Sequence, residues 1–420
     1  MDMVVEKNDD VHINFDIDPL TPRIVDNKWL MATGTSLGAD NGIGIATCFA
    51  ILEDNSIEHG PLEVLMTRDE ETGMYGATDL EPGVLKAKYM INVDSEEENA
   101  ICIGCAGGFT VSMHLATPRE AFQNSRQFTL TLNNFVGGHS GCDIDLGRAN
   151  PLHVMSRLVS AAQDDYRIVS IQCGSADNAI PRKCVMTVAV AAEQVESFKK
   201  SVEHEFACFQ KEYHQIEKEA TFAMEEAKEE RLPISKQSTT QFVNFLNVCP
   251  FGVQRYSPTI KNTVETSMTC AIAKTLESEI TFIASVRSSS ATQMDMMYNK
   301  LKCVTSMAGM TLSAKKAPCD LADRVMCRYP GWDPKADSAL TQAMVKAYEE
   351  SEHITPKVYS IHAGLECGLF QEKYPGMDCV SIGPELQSPH SPSERLLIES
   401  VPRYYNTLLV ALKKLWCVCW

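Results

Sequence analysis

Residues 61–73 read Pro61-Leu62-Glu63-Val64-Leu65-Met66-Thr67-Arg68-Asp69-Glu70-Glu71-Thr72-Gly73, a short apolar run that ends in a group of acids. The apolar part predicts a strand over 61–67, and helix-like stretches lie on either side of it, over 42–52 and 73–80. A second strand is predicted over 89–94, where an apolar run again ends in an acid, Asp94. Strands that alternate with helices in this way are typical of an α/β fold with a layered sheet.

The texture of the chain changes twice after this region. From about residue 109 the predicted elements follow the order β-α-β, helix, β-β-α, with a long, highly charged and mostly helical stretch over 193–231. That order indicates a separate α+β unit with helices on one antiparallel sheet. The α/β pattern returns after about residue 318. We therefore predict an α/β domain built from 1–110 and 319–420, with the domain 111–318 inserted into it.

Composition and charge exclude several classes of protein. The chain has 420 residues, of which 44% are hydrophobic, and a formal net charge of −17. Such a chain can bury a sizeable core, and an acidic surface without a basic stripe does not favour nucleic acid as a partner. No apolar run reaches the roughly 18 residues that a membrane span needs, and the first residues do not resemble a signal peptide. The 16 cysteines are interpreted as mostly buried free thiols of a cytoplasmic protein.

Potential metal ligands follow the predicted strands. Glu70 and Glu71 come after the first strand, Asp94 ends the second, Asp40 precedes a helix, and His390 lies between two prolines. Ligand sites of open α/β sheets form beyond the carboxyl ends of the strands, and carboxylates gathered there repel one another unless a cation lies between them. Carboxylate and imidazole are ordinary zinc ligands. Because neighbours on an extended backbone point opposite ways, one glutamate of the pair could bind metal while the other faces the substrate as a general base.

Each of these residues also has a simpler interpretation. Asp40 stands in an Asp-Asn-Gly turn pattern and could be a helix N-cap. An acidic run is usually a solvated face, and a histidine between prolines is more often a surface loop residue. Taken without further information, the residues support a metallohydrolase hypothesis and no more.

Short motifs extend along the whole chain in a fixed order. They are 33–44 (TGTSLGADNGIG), 59–65 (HGPLEVL), 92–97 (NVDSEE), 104–108 (GCAGG), 137–141 (GGHSG), 178–182 (NAIPR), 329–332 (YPGW), 362–368 (HAGLECG) and 381–384 (SIGP). In this order they resemble the zinc-dependent aminoacyl-histidine dipeptidases, also called Xaa-His or cytosol non-specific dipeptidases. The resemblance implies a mixed-sheet zinc-peptidase catalytic domain with an inserted α+β lid or dimerisation domain.

The resemblance also implies roles for the acids and for His390. Asp40 looks like the carboxylate that bridges two zinc ions, and Glu71 and His390 look like the other ligands of one ion. Asp94 looks like a ligand of the second ion. Glu70 looks like the general base that takes a proton from the attacking water.

Further roles carry over with the motifs. Asp2 matches the family acid that orients a zinc-binding histidine, and His139 resembles the lid histidine that stabilises the oxyanion, often from a neighbouring subunit. Asn178 and Arg287 resemble lid residues that contact the carboxylate or carbonyl of the substrate. Glu366 is expected to contact the substrate end or to support the metal ligands.

One family feature lies outside the sequence. The histidine that Asp2 would orient stands two residues before that aspartate in the family, ahead of residue 1. We therefore expect an N-terminally truncated form of a longer protein, a site completed by a neighbouring chain or by water, or a degenerate remnant. On this basis one zinc ion is expected to be weak or lost, and the 420-residue chain to have weak or no activity by itself.

The function implied by the resemblance is metal-dependent hydrolysis of dipeptides, notably Xaa-His, with two zinc ions as cofactor. Cobalt or manganese would also suit carboxylate-rich ligands. The alternative is a non-catalytic or weakly active remnant that keeps the lid and its dimerisation role, and deacylation of N-acyl amino acids would use the same chemistry. The implied partners are a dipeptide substrate and a second copy of the chain bound through the lid, with neither nucleic acid nor membrane.

Overall fold

The computed structural model describes residues 2–8, 10–314 and 328–418. The chain divides into two compact units, with the divisions after Cys105 and after Tyr329. The first unit is formed by the two outer parts of the chain, and the second unit by the continuous stretch Ala106–Tyr329. The first division lies slightly before the predicted boundary at 110, and the second predicted boundary, between 318 and 319, lies outside the described residues.

The first unit contains two small sheets flanked by helices. One is mixed and has the strand order Lys357–Ile361, Ala100–Cys105, Asp378–Ser381, Tyr89–Asn92, with parallel pairing at both ends. The other is antiparallel, in the order Pro22–Val25, Trp29–Ala32, Arg395–Leu397, Leu386–Gln387. The helices are Ala39–Glu53, Glu70–Gly73, Tyr75–Asp79, Ala339–Ser351, Glu366–Lys373 and Ser400–Val418. A core that includes Cys102, Trp332 and Phe370 packs beside the mixed sheet.

Two predictions for the first unit were wrong in detail. Residues 61–67 are not a strand, because a strand requires a hydrogen-bonded neighbour and none of the described segments pairs with them. Leu62 and Val64 remain exposed. The single helix predicted over 73–80 is instead two short helices that meet at Met74, where φ is 56°.

The second unit is built on one ten-stranded antiparallel sheet. Its main strand order is Thr221–Glu226, Ser125–Asn133, Cys184–Ala191, Tyr166–Cys173, Val264–Thr275, Glu279–Ser288, Gly107–Ala116, Thr311–Ala314. Two further strands pair alongside, Gly252–Tyr256 with Val264–Thr275 and Arg328–Tyr329 with Gly107–Ala116. The helices are Pro151–Ala161, Ala192–Gln194 (a 3₁₀ turn), Val195–Glu212, Lys236–Val248 and Ala291–Met307. A separate two-strand pairing joins Gly138–His139 to Ala179–Ile180.

The core of the second unit follows from residue spacing. Along Ser125–Asn133, Phe128, Leu130 and Leu132 alternate with less buried residues, as expected for a strand with one face on a core. The helix Val195–Glu212 buries residues that recur every three or four positions, which is the spacing of one helix face.

The helical prediction over 193–231 was only half correct. The helix ends at Glu212, and Thr221–Glu226 forms an edge strand of the large sheet. Exposed glutamates at the end of that strand suit an edge, because charge discourages pairing with another chain. None of the helices within the described ranges is long and apolar enough to cross a membrane.

Candidate metal centre

The first unit gathers acids from separate segments into one place. Asp40 lies at the start of the helix Ala39–Glu53, and its peptide bond to Asn41 is cis. Glu70 and Glu71 begin a short helix after the segment 61–67, and Asp94 follows the strand Tyr89–Asn92. With Asp2 and Glu366, these acids line one cavity of about 630 Å³.

His390 lies close to two of these acids, so that the three residues form a candidate set of metal ligands. Its Nε2 atom lies 3.0 Å from Oδ2 of Asp40 and 3.2 Å from Oε2 of Glu71. The ligand atoms of Asp40, Glu71 and His390, which we call the triad, all lie within 4.8 Å of one another. Two carboxylates and one imidazole match the donor set and the ligand count of catalytic zinc sites.

The negative charges around the triad favour a bound cation. The carboxylates of Asp40 and Glu71 accept hydrogen bonds from His390 and thereby raise the pKa of its imidazole to about 10. Burial, reinforced by the charge of Asp40, raises the pKa of Asp94 well above its ordinary value. A positive ion among these groups would relieve the repulsion that the carboxylates otherwise exert on one another.

Glu70 lies beside the triad without being part of it. Burial, followed by the negative charges of Glu71 and Glu366, raises the pKa of Glu70 to about 7. The backbone N–H groups of Glu70 and Glu71 donate to the two carboxylate oxygens of Asp2, over 3.1 and 3.3 Å. Asp2 therefore fixes the backbone from which both glutamates project.

Glu366 forms a second acidic position in the same cavity. Its Oε2 accepts a hydrogen bond from the hydroxyl of Thr67 at 3.0 Å. Its Oε1 is buried and has no partner among the described residues, and burial raises the pKa of the carboxyl group. An unsatisfied buried acceptor of this kind can bind a donor such as a substrate ammonium.

The second unit brings together three of the residues predicted to contact substrate. His139 pairs with Ala179 across the short two-strand pairing, and the Ser140 N–H donates to the carbonyl of Asn178 at 2.9 Å. Asn178 is exposed. Arg287 donates from Nε to Oγ of Ser140 at 3.3 Å, which connects it to the same segment.

The hydrogen bonds of His139 determine its tautomer. Its Nδ1 faces the N–H groups of Gly141 and Cys142, at 3.2 and 3.0 Å, and must therefore accept. In a neutral ring the proton is then on Nε2. Burial, assisted by the charge of Arg287, lowers the pKa of His139, so the ring is neutral at physiological pH and presents an Nε2–H donor.

Arg287 is a buried cation, 9% exposed. Its Nη1 donates to the hydroxyl of Tyr329 at 3.0 Å, and no carboxylate in the described part of the chain forms an ion pair with it. A guanidinium with donors to spare is suited to bidentate binding of a carboxylate.

Three residues near these groups were missed by sequence reasoning. Tyr329 and Glu96 both stand inside quoted motifs, so the signal was present but was given no role. Burial and the charge of Asp40 raise the pKa of Glu96 to about 7, which places it beside the triad. Glu394 contacts only backbone groups near Asp40, and no sequence pattern reveals such contacts.

Comparison with known proteins was made on both sequence and structure. Residues 1–414 match the model of Peptidase family M20/M25/M40. The cytosol non-specific dipeptidase of Escherichia coli (strain K12) is 38% identical over 418 residues, which cover 99% of this chain and 84% of that protein. The crystal structure of the aminoacylhistidine dipeptidase from Vibrio alginolyticus is 38% identical, with a TM-score of 0.87, and covers 98% of this chain and 82% of that one. These matches confirm the resemblance and the fold class predicted from the motifs.

Proposed function

Because the chain belongs to peptidase family M20/M25/M40, a family of metal-dependent hydrolases that act on peptide bonds, we propose that it is a zinc dipeptidase that cleaves Xaa-His and related dipeptides. The observation that carries the proposal is the triad, with its three ligand atoms within 4.8 Å of one another beside Glu70. The names of the two relatives, each matched over most of its length, support the substrate class.

Metal binding is assigned in this proposal to four residues. Asp40, Glu71 and His390 would hold one zinc ion, and Asp40 together with Asp94 would hold a second. Bound zinc would supply Lewis acidity toward the carbonyl of the scissile peptide bond. Carboxylate and imidazole donors also accept cobalt or manganese, so the metal used in the cell is part of the test.

Glu70 is the proposed general base. A catalytic base works best when its pKa lies near the operating pH, and in the metal-free chain burial, followed by the charge of Glu71, raises the pKa of Glu70 to about 7. It would take a proton from the attacking water and deliver it to the leaving amine. Asp2 would hold the backbone of Glu70 in place through the hydrogen bond described above.

Four residues are proposed to contact the substrate. The Nε2–H of His139 would donate to the oxygen on which negative charge develops, and Arg287 with Asn178 would bind the substrate carboxylate or carbonyl. The free oxygen of Glu366 would accept from the substrate ammonium.

Replacing His139 with alanine is expected to lower kcat by about 10²–10³-fold, the usual effect of losing one oxyanion donor. Zinc content and KM should change little, because the donor acts when charge develops on the oxygen. Steady-state kinetics with a Xaa-His dipeptide would measure both constants. His204→Ala, an exposed histidine on the helix Val195–Glu212, is the matched control and should behave as wild type. An unaltered kcat in the His139 variant would remove this residue from the proposal.

Metal binding is expected to release protons. In the metal-free chain the pKa of His390 is about 10, so its ring is protonated near neutral pH and must lose a proton before it can bind an ion. The apparent zinc affinity should therefore rise with pH. Calorimetry in two buffers of different ionisation enthalpy should find at least about one proton released per zinc ion near pH 7.5. Release that is the same in wild type and His390→Ala would contradict this assignment.

The same ionisation sets a pH dependence of folding without metal. The pKa of His390 is higher in the folded chain than in the unfolded chain, so its pairing with the carboxylates stabilises the fold. This contribution is present in full at pH values below about 6.5, the pKa of histidine in an unfolded chain. That contribution is lost as the pH rises through about 10.

A substrate panel tests the proposed activity. The purified chain, loaded with zinc, cobalt or manganese in turn, would be assayed with Xaa-His dipeptides, other dipeptides, tripeptides and N-acyl amino acids. Hydrolysis confined to dipeptides is expected. Preference for N-acyl amino acids would favour deacylation, and metal binding without turnover of any substrate would favour a non-catalytic role.

Two further parts of the proposal concern assembly and location. We infer a homodimer formed through the second unit and a cytoplasmic location, the latter supported by the name of the E. coli relative. Light scattering of the full chain and of the chain with charge substitutions on the second unit would test the dimer.

A further inference from the structure

Glu394 is a buried acid that binds backbone and, within the described part of the chain, forms no ion pair with a basic side chain. It is 2% exposed. Its Oε2 accepts from the N–H groups of Leu37 and Gly38, at 2.6 and 3.0 Å, and its Oε1 accepts from those of Ala39 and Asp40, at 2.8 and 3.4 Å. Four successive N–H groups thus surround a single carboxylate.

The backbone conformation of the donating segment directs its N–H groups toward one acceptor. Gly38 has a φ of 73°, in the left-handed region where glycine is favoured, and it immediately precedes the helix Ala39–Glu53. Successive N–H groups around such a turn converge on an anion. These donors compensate the cost of burying the charge of Glu394.

Glu394 also belongs to the segment that carries His390. Its own N–H donates to the carbonyl of Ser391 at 3.0 Å, and the hydroxyl of Ser391 donates to the carbonyl of Ser388 at 2.8 Å. The turn that holds His390 is therefore closed by its own hydrogen bonds. Asp40 and His390 are separated by 350 residues in the chain, and the carboxylate of Glu394 joins the backbone of one to the turn of the other.

We propose that Glu394 is a positioning residue that sets Asp40 against His390 and so preforms the triad for its metal ion. The inference rests on the proposed function, because it assumes that the triad binds metal. Glu394 is not itself a ligand, since both of its oxygens accept from backbone N–H groups. Groups that orient metal ligands in this way contribute about 10–100-fold to metal affinity.

The test compares Glu394→Gln with wild type in the full chain. The substitution keeps the shape of the side chain but directs an amide NH₂ toward N–H groups that need an acceptor. Zinc affinity of the metal-free protein, measured by competition with a chromophoric chelator, is expected to fall by about 10–100-fold. Circular dichroism melting would show whether the variant is folded at the assay temperature.

A matched control comes from the second unit. Glu217 is 4% exposed and accepts from the backbone N–H groups of Val136 and Ala149, at 2.8 and 2.9 Å. Glu217→Gln should lower the melting temperature as a lost buried acceptor does, and leave zinc affinity as in wild type. An equal loss of affinity in both variants would mean general destabilisation and would overturn the positioning role.

The remaining outcomes separate this inference from the proposed function. A wild-type chain that binds no zinc would overturn both. Zinc binding by wild type that is unchanged in the folded Glu394→Gln variant would overturn only the role of Glu394. If the glutamine variant does not fold, Glu394→Asp replaces it, because the shorter carboxylate keeps the charge and reaches fewer of the four N–H groups. Wild-type affinity in the folded aspartate variant would likewise overturn the role.

Discussion

Replacing Glu70 with glutamine is expected to lower kcat for dipeptide hydrolysis by about 10²–10⁴-fold, the usual contribution of a general base. The amide cannot accept the proton of the attacking water, although it keeps nearly the same shape. In the metal-free chain, burial and the charge of Glu71 raise the pKa of Glu70 to about 7. Initial rates with a Xaa-His dipeptide at saturating zinc would measure the effect.

Two observations accompany the Glu70 experiment. Zinc affinity should stay close to that of wild type, because Glu70 lies outside the triad. Glu53→Gln, which changes an exposed carboxylate on the helix that carries Asp40, should leave kcat unaltered. If Glu70→Gln retained full activity, the proton acceptor would have to be sought among the other acids of the cavity, with Glu96 first because its pKa is also about 7.

Replacing Asp40 with asparagine is expected to have the second large effect, on metal binding. Changes around metal ligands already cost about 10–100-fold in affinity, and loss of a ligand that two ions share should exceed this. Metal content after dialysis and chelator competition would measure the loss, and activity should disappear with it. Asp54→Asn, at the other end of the same helix, is the control, since the carboxylate of Asp54 accepts from the backbone N–H and the hydroxyl of Ser56. Retention of both ions by Asp40→Asn would overturn its bridging assignment.

The acids of the first unit could be predicted as site residues because the sequence immediately before them indicates where they lie. Glu70, Glu71 and Asp94 each follow an apolar run, and the expectation that such residues meet at one edge required only strand geometry. The structure indeed brings them into one cavity with Asp40. The strand over 61–67 failed for a non-local reason, since pairing depends on a neighbour that sequence patterns of the segment do not reveal.

The groups of the second unit could be assigned only through the family resemblance. His139, Asn178 and Arg287 are far apart in sequence, and nothing in their flanking residues indicates that they share a site. Their proximity depends on antiparallel pairing and on hydrogen bonds through Ser140. The tautomer of His139 is a further step away, because it is set by backbone N–H groups whose direction only coordinates give.

Helix predictions succeeded where start signals and apolar spacing agreed. The stretch 150–162 predicts a helix, and the structure has one at Pro151–Ala161, where Asn150 accepts from the N–H of Leu152 and proline occupies the first turn. The contacts of Glu394 could not be predicted from the sequence. Its carboxylate binds main-chain groups more than 350 positions away, and such contacts leave no side-chain pattern in the sequence.

The distance along the chain between Asp40 and His390 has a consequence for biosynthesis. At about 5–20 residues per second, a ribosome needs about 20–70 s to cover the 350 residues that separate them. During this interval Ala106–Tyr329, a continuous stretch with its own sheet, emerges complete and can fold first. Asp40 and Glu71 have already been synthesised during this interval, but His390 has not. The nascent polypeptide therefore acquires the triad among the last events of its synthesis, and an unfinished chain that stops short of His390 lacks it.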